Sequence, residues 1–204
     1  MSSSNSHIAK VHWPCSNKLI TEIPAMNTLL NKIYDVDVNL FLWINIKSQN
    51  HYYHLIRSIS HTGDGPLYFI ITMLIFACDK QLGYQFLLTA LIAYLIEVPS
   101  YLLLKNTIKR NRPAEKLVDF KAKITPSDAF SFPSGHTAAA FVFALMISNF
   151  YPVFSLIAFI WASMIGFSRV LLGVHFPGDI IAGIFIGILS FLFANQLGQF
   201  FLFT

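Results

Sequence analysis

The residues of this chain that could do chemistry lie in three short polar segments set between long apolar runs. Residues 105–113 (KNTIKRNRP) close one run, residues 133–136 (PSGH) open the next, and residues 168–179 (SRVLLGVHFPGD) join the last two. Lys105 and Arg112 are seven positions apart, so a continuing helix would point both the same way. With Arg169 they make three cations beside apolar sequence, an expensive arrangement near hydrocarbon unless an anion neutralises it. A phosphate group suits such a cluster: arginine binds it bidentately and lysine acts as a point charge. Ser134 and Gly135 precede a helical run, so their backbone N–H groups and the helix dipole can hold phosphate oxygens, and Gly135 permits close approach.

The two histidines of these segments have separable roles. His175 and Asp179 are four apart around a Pro177-Gly178 turn. A carboxylate that accepts from one ring nitrogen sets the tautomer and frees the other nitrogen to attack phosphorus. His136, on a different segment, is placed to protonate the leaving oxygen. The three cations would then stabilise the charge of in-line phosphoryl transfer. No carboxylate cluster is present to hold a metal, and no cofactor is expected.

These segments need elements to position them. Of 204 residues, 55% are hydrophobic and 12% charged, about half the charge of a soluble domain. The apolar residues come in runs rather than at alternating spacing, and the runs approach the roughly 20 residues that cross a bilayer. The reading is an all-α, polytopic transmembrane bundle with five spans near residues 67–78, 82–104, 137–151, 153–172 and 180–203. Residues 1–18 read as a mobile polar tail, and residues 19–204 as one membrane domain. Residues 19–60 are aromatic-rich and too polar for a plain span; they fit interfacial helices or a sixth, short crossing. Gly183 and Gly187 are spaced for close helix contact. Because spans alternate direction, the end of one run at 104, the start of the next near 134 and the junction at 168–179 all fall on one side of the membrane.

The remaining polar residues carry plainer expectations. Glu97, two turns before Lys105, reads as either its partner or a helix-packing residue. Asp64 and Asp128 read as cap or turn residues, Ser168 as support for Arg169 or phosphate, and His51, His54 and His61 as interfacial. The phenylalanines read mostly as lipid-facing bulk. Cys15 and Cys78 cannot build a disulfide framework.

The pattern K-x6-RP, PSGH and SR-x5-H-x3-D resembles the type 2 phosphatidic acid phosphatase family, within the superfamily shared with bacterial acid phosphatases and vanadium haloperoxidases. The match runs over residues 61–200 and holds at every specified position; the first 60 residues lie outside it. The resemblance implies that Lys105, Arg112 and Arg169 bind phosphate with Ser134 and Gly135, that His175 is the nucleophile, His136 the general acid, and Asp179 the partner that orients His175. It implies a membrane-embedded, metal-independent lipid phosphate or diphosphate phosphatase, with undecaprenyl diphosphate the first expectation and phosphatidylglycerophosphate or phosphatidic acid the alternative. A vanadate-dependent oxidoreductase is disfavoured by membrane embedding, and a non-enzymatic lipid transporter by the complete set of His136, His175 and Asp179. Partners are expected to be the lipid substrate and membrane lipids, not nucleic acid. The expected location is the bacterial cytoplasmic membrane with the site on the periplasmic face, although the basic residues crowd that same side.

Overall fold

A computed structural model describes residues 24–47, 52–118, 120–126 and 128–203; the expected polar tail lies outside them. The described residues are all-helical, with no strand among them: α1 (Pro24–Lys47), α2 (Tyr53–His61), α3 (Pro66–Cys78), α4 (Gly83–Ile108), the single turn α5 (Pro113–Lys116), α6 (Gly135–Phe150), α7 (Ser155–Leu171) and α8 (Pro177–Phe203). All five apolar runs form helices. Residues within 83–116, 152–171 and 177–198 are long and apolar enough to cross a membrane. α3 and α6 are apolar but have 13 and 16 residues. α1 has 24 residues yet carries Lys32, Asp35 and Asp37, in keeping with its polar reading.

Local chemistry sets the helix ends. Gly65 has a φ of 104°, in the region that favours glycine, and Pro66 supplies the preset first position of α3. Asp79 makes the tight connection to α4, its Oδ1 accepting from the N–H groups of Gln81 and Leu82 at 2.9 and 3.0 Å. α4 ends where Lys109 turns left-handed and Pro113 follows. The Ser134 hydroxyl caps α6, accepting from the Thr137 N–H.

α6 is the centre of the bundle, packed against α4, α7 and α8, while α3 lies on α4 and α2 on α7. The ends of α3 and α6 register at both faces. Asp64, just before α3, meets His136 at the start of α6, and Tyr151 after α6 donates to Asp79 after α3 at 2.9 Å. The two short helices therefore run side by side with their ends matched. The core is tight because it is built from small residues: Ala93, Ala138, Ala140, Ala144, Ala162 and Ala194 are fully buried. A Cβ on Gly183 would stand 2.6 Å from the Ser134 carbonyl and one on Gly187 2.6 Å from the Ala138 carbonyl, so α8 lies backbone to backbone on α6 as the spacing predicts. Large apolar side chains such as Phe69, Leu91, Leu95, Phe185 and Phe193 face outward. The phenylalanines are not only lipid-facing bulk, however. Phe41, Phe86 and Phe176 are fully buried, and Phe41 and Phe176 pack with Val38, Leu117 and Val170 where α1 docks.

Candidate active site

The three polar segments meet at one end of the bundle. Lys105, from the end of α4, Gly135 and His136, from the start of α6, and Arg169 and His175, from the end of α7 and the following loop, all line one cavity between α3 and α4 of about 470 Å³. Its lower walls are apolar, with Phe69, Met73, Leu87 and Leu91 among them. A second cavity of about 670 Å³, lined by Tyr53, Arg57, Ser60, His61, Lys123 and Thr125, shares Asp64, His136 and Arg169 with the first. The two chambers touch at the histidine and the arginine.

His175 is 2% exposed, and its Nδ1 lies 2.7 Å from the Ser131 carbonyl oxygen. A carbonyl can only accept, so Nδ1 carries the hydrogen and Nε2 keeps its lone pair. Burial lowers the pKa of this ring to about 4, Asp179 acting in the opposite direction. The expected bond from His175 to Asp179 is not formed: Oδ2 is 3.7 Å from Nδ1, beyond hydrogen-bond reach. That oxygen accepts from the Phe176 N–H at 2.8 Å, and Oδ1 accepts from Arg110 at 2.7 Å. The carboxylate thus sits beside the ring as a charge, while the Ser131 carbonyl sets the tautomer.

The cations are held in three different ways. Lys105 donates to Asp128 Oδ2 at 2.7 Å. Arg112 donates to Asp128 Oδ1, to the Asp128 carbonyl at 3.0 Å and to the Val174 carbonyl at 2.7 Å. Arg169 is 5% exposed and donates to Ser60 at 2.8 Å, while its Nε has no partner. No carboxylate among the described residues pairs with it. Asp128 is the anion that two of these cations share: burial raises its pKa, but the Lys105 ammonium and Arg112 guanidinium outweigh that and hold it below the usual carboxylate range. Ser134 is fully buried, its N–H donated to the Asp179 carbonyl at 3.1 Å and its hydroxyl bonded to Thr137. Gly135 and His136, in the first turn of α6, have no helical acceptor for their N–H groups.

The sequence model of the PAP2 superfamily matches residues 82–202. The chain belongs to the PAP2 superfamily. Among PAP2 relatives, a phosphatidylglycerophosphatase B of Bacillus subtilis is 36% identical over 107 residues, 47% of this chain and 50% of its own. A lipid A 1-phosphatase of Rhizobium johnstonii is 29% identical over 155 residues, 66% of this chain and 63% of its own. The matched stretches thus span less than two thirds of these curated relatives. The crystal structure of LpxE from Aquifex aeolicus superposes with a TM-score of 0.70 at 28% identity, over 79% of this chain and 95% of that one. The PAP2-type phosphatidylglycerolphosphate phosphatase structure from Bacillus subtilis gives 0.67 at 28% identity, over 83% and 87%.

Around the PAP2 motif residues the structure gathers four that sequence reasoning left aside. Asp64, read as a turn residue, bridges His136 Nε2 at 2.8 Å and His61 Nδ1 at 2.6 Å. Asp128, read likewise, joins Lys105 to Arg112. Arg110 bonds Asp37 at 2.6 Å as well as Asp179, and Asp37 accepts from the Gly178 N–H at 2.7 Å. α1 therefore reaches the site through one carboxylate. Arg110 lay in view, two positions before Arg112; nothing local marked Asp37. Glu97 does not pair with Lys105, which Asp128 takes instead.

Proposed function

We propose that this PAP2 chain removes phosphate from a lipid phosphate or diphosphate through a phosphohistidine formed on His175. The observation that carries the reading is the meeting of an apolar chamber and a polar chamber at His136 and Arg169. A lipid chain enters the first between α3 and α4, its phosphate lies among the cations, and water arrives and orthophosphate leaves through the second.

In this reading the substrate phosphate takes the place of the Asp128 carboxylate against Lys105 and Arg112 and satisfies Arg169 Nε. The N–H groups of Gly135 and His136 add donors at the helix N-terminus. The His175 Nε2 lone pair attacks phosphorus, a P–N bond forms, and the bond from phosphorus to the lipid oxygen breaks. His136, entering as the imidazolium with its Nε2–H held by Asp64, gives its Nδ1 proton to that oxygen and is left neutral. In the second half, water attacks the phosphohistidine with His136 taking its proton; the P–N bond breaks and orthophosphate departs. Lys105, Arg112 and Arg169 stabilise the equatorial oxygens throughout. Asp179 balances the charge that builds on the His175 ring, and Ser134 supports the turn rather than touching phosphate.

Undecaprenyl diphosphate is the first expectation from sequence. The names of the relatives move phosphatidylglycerophosphate ahead of it, with lipid A phosphates and phosphatidic acid in the same class. We place the protein in the bacterial cytoplasmic membrane with the site facing the periplasm, because the crowded cations answer to phosphate rather than to topology. Phosphate release should be measured from phosphatidylglycerophosphate, phosphatidic acid and undecaprenyl diphosphate in detergent, with wild type and His175→Ala in parallel. Wild type should release phosphate from at least one lipid and the variant from none. A wild type inert toward all of them would end the proposal.

A further inference from the structure

The chamber between α3 and α4 holds polar atoms that the phosphate chemistry leaves unused. Glu97 on α4 is 1% exposed, lines this cavity, and its Oε1 has no hydrogen-bond partner. Tyr68 on α3 is 3% exposed and lines the same cavity, and its hydroxyl is also without a partner. Nearby Tyr94 is different, because its hydroxyl donates to the Ala139 carbonyl at 3.3 Å. Buried polar atoms without partners are costly and uncommon in folded proteins. Glu97 is not balancing Lys105, whose ammonium is taken by Asp128. Its α-carbon lies about 12 Å from that of Lys105 along α4, two helical turns away from the end that carries the phosphate-binding cations.

We propose that Glu97 and Tyr68 are specificity-determining residues that hydrogen-bond the polar linkage of the lipid. They select a phosphorylated glycerolipid over a prenyl diphosphate. A carboxyl group accepts from a hydroxyl, and a tyrosine hydroxyl donates to an ester carbonyl. Phosphatidylglycerophosphate offers both groups between its terminal phosphate and its chains, a head-group glycerol hydroxyl and the ester carbonyls, whereas a prenyl diphosphate is hydrocarbon beyond its phosphates. A prenyl chain in this chamber would leave both residues unsatisfied, while its fit against Phe69, Met73 and Leu91 would be as good.

The inference rests on the phosphatase reading, and one experiment separates the two. The ratio of kcat/KM for phosphatidylglycerophosphate to that for undecaprenyl diphosphate is measured in mixed micelles for wild type, Glu97→Leu and Tyr68→Phe. Tyr68→Phe removes one oxygen and keeps the ring, so it remains informative where Glu97→Leu fails to fold. Each variant should lower the ratio about tenfold, one hydrogen bond's worth. A ratio unchanged from wild type in Tyr68→Phe, or equal losses on both lipids, would overturn the specificity role while leaving the phosphatase reading intact. A wild type that hydrolyses neither of these two lipids would overturn the specificity role, and one inert toward phosphatidic acid as well would end both readings.

Discussion

As the proposed nucleophile, His175 depends on what surrounds the ring. A histidine whose pKa is depressed to about 4 by burial stays unprotonated, with Nε2 able to attack, down to that pH. It loses the lone pair only below it. The acid limb of kcat/KM, corrected for substrate ionisation, should therefore fall near pH 4; a limb near the ordinary histidine value would mean the ring is not the attacking base. Asp128 gives a second residue-scale expectation. If its carboxylate occupies the phosphate position, Asp128→Asn should tighten inhibition by orthophosphate roughly tenfold, about 1.4 kcal/mol. Weakened inhibition would mean the carboxylate organises the cations rather than competing for them. That both histidines and all three cations gather at one end of the bundle could be read from the three segments taken together, because each closes or opens an apolar run on the same side; singly, each residue had a plainer use. Asp64 and Asp128 could not be read in this way. Their chemistry comes from what the fold sets opposite them, and in sequence each looks like the turn residue it also is.

At the scale of elements, the site is a property of how helix ends align. α6 and α8 carry His136 and Asp179 into place, and the Ser134 N–H joins their first turns through the Asp179 carbonyl. Gly183 is what permits that approach, since its α-carbon faces the Ser134 carbonyl. Gly183→Ala should thus destabilise the protein by about 1–3 kcal/mol, the usual cost of overpacking, and lower kcat with it. Thermal unfolding in detergent checks the first effect, and an unshifted midpoint would contradict it. The five apolar runs and their order were legible as helices because unbroken apolar sequence leaves few other structures. The role of α1 was not legible. Asp37 is one acidic residue on a polar helix, and only the docking of Phe41 and Val38 on Val170 and Phe176 brings it to Arg110.

For the whole molecule, the arrangement predicts a sidedness. All three motif segments gather at the end of the bundle where α3 begins, and exposed Cys78 stands at its other end. With the site facing the periplasm, a membrane-impermeant thiol reagent should spare Cys78 in intact cells of a Cys15→Ser variant and label it in inverted vesicles. Labelling in intact cells would reverse the orientation. One-sided convergence followed from counting crossings alone. The division of the site into an apolar and a polar chamber did not, because it depends on which side chains line the gap between α3 and α4. The central claim is that those chambers meet at a histidine that carries the phosphate covalently. Rapid quenching of the protein with a lipid bearing a radiolabelled terminal phosphate tests it most directly. Label should appear on the wild-type chain as an acid-labile, base-stable adduct that maps to His175 and decays as orthophosphate forms. Orthophosphate released at full rate by His175→Ala, or an adduct on another residue, would contradict it.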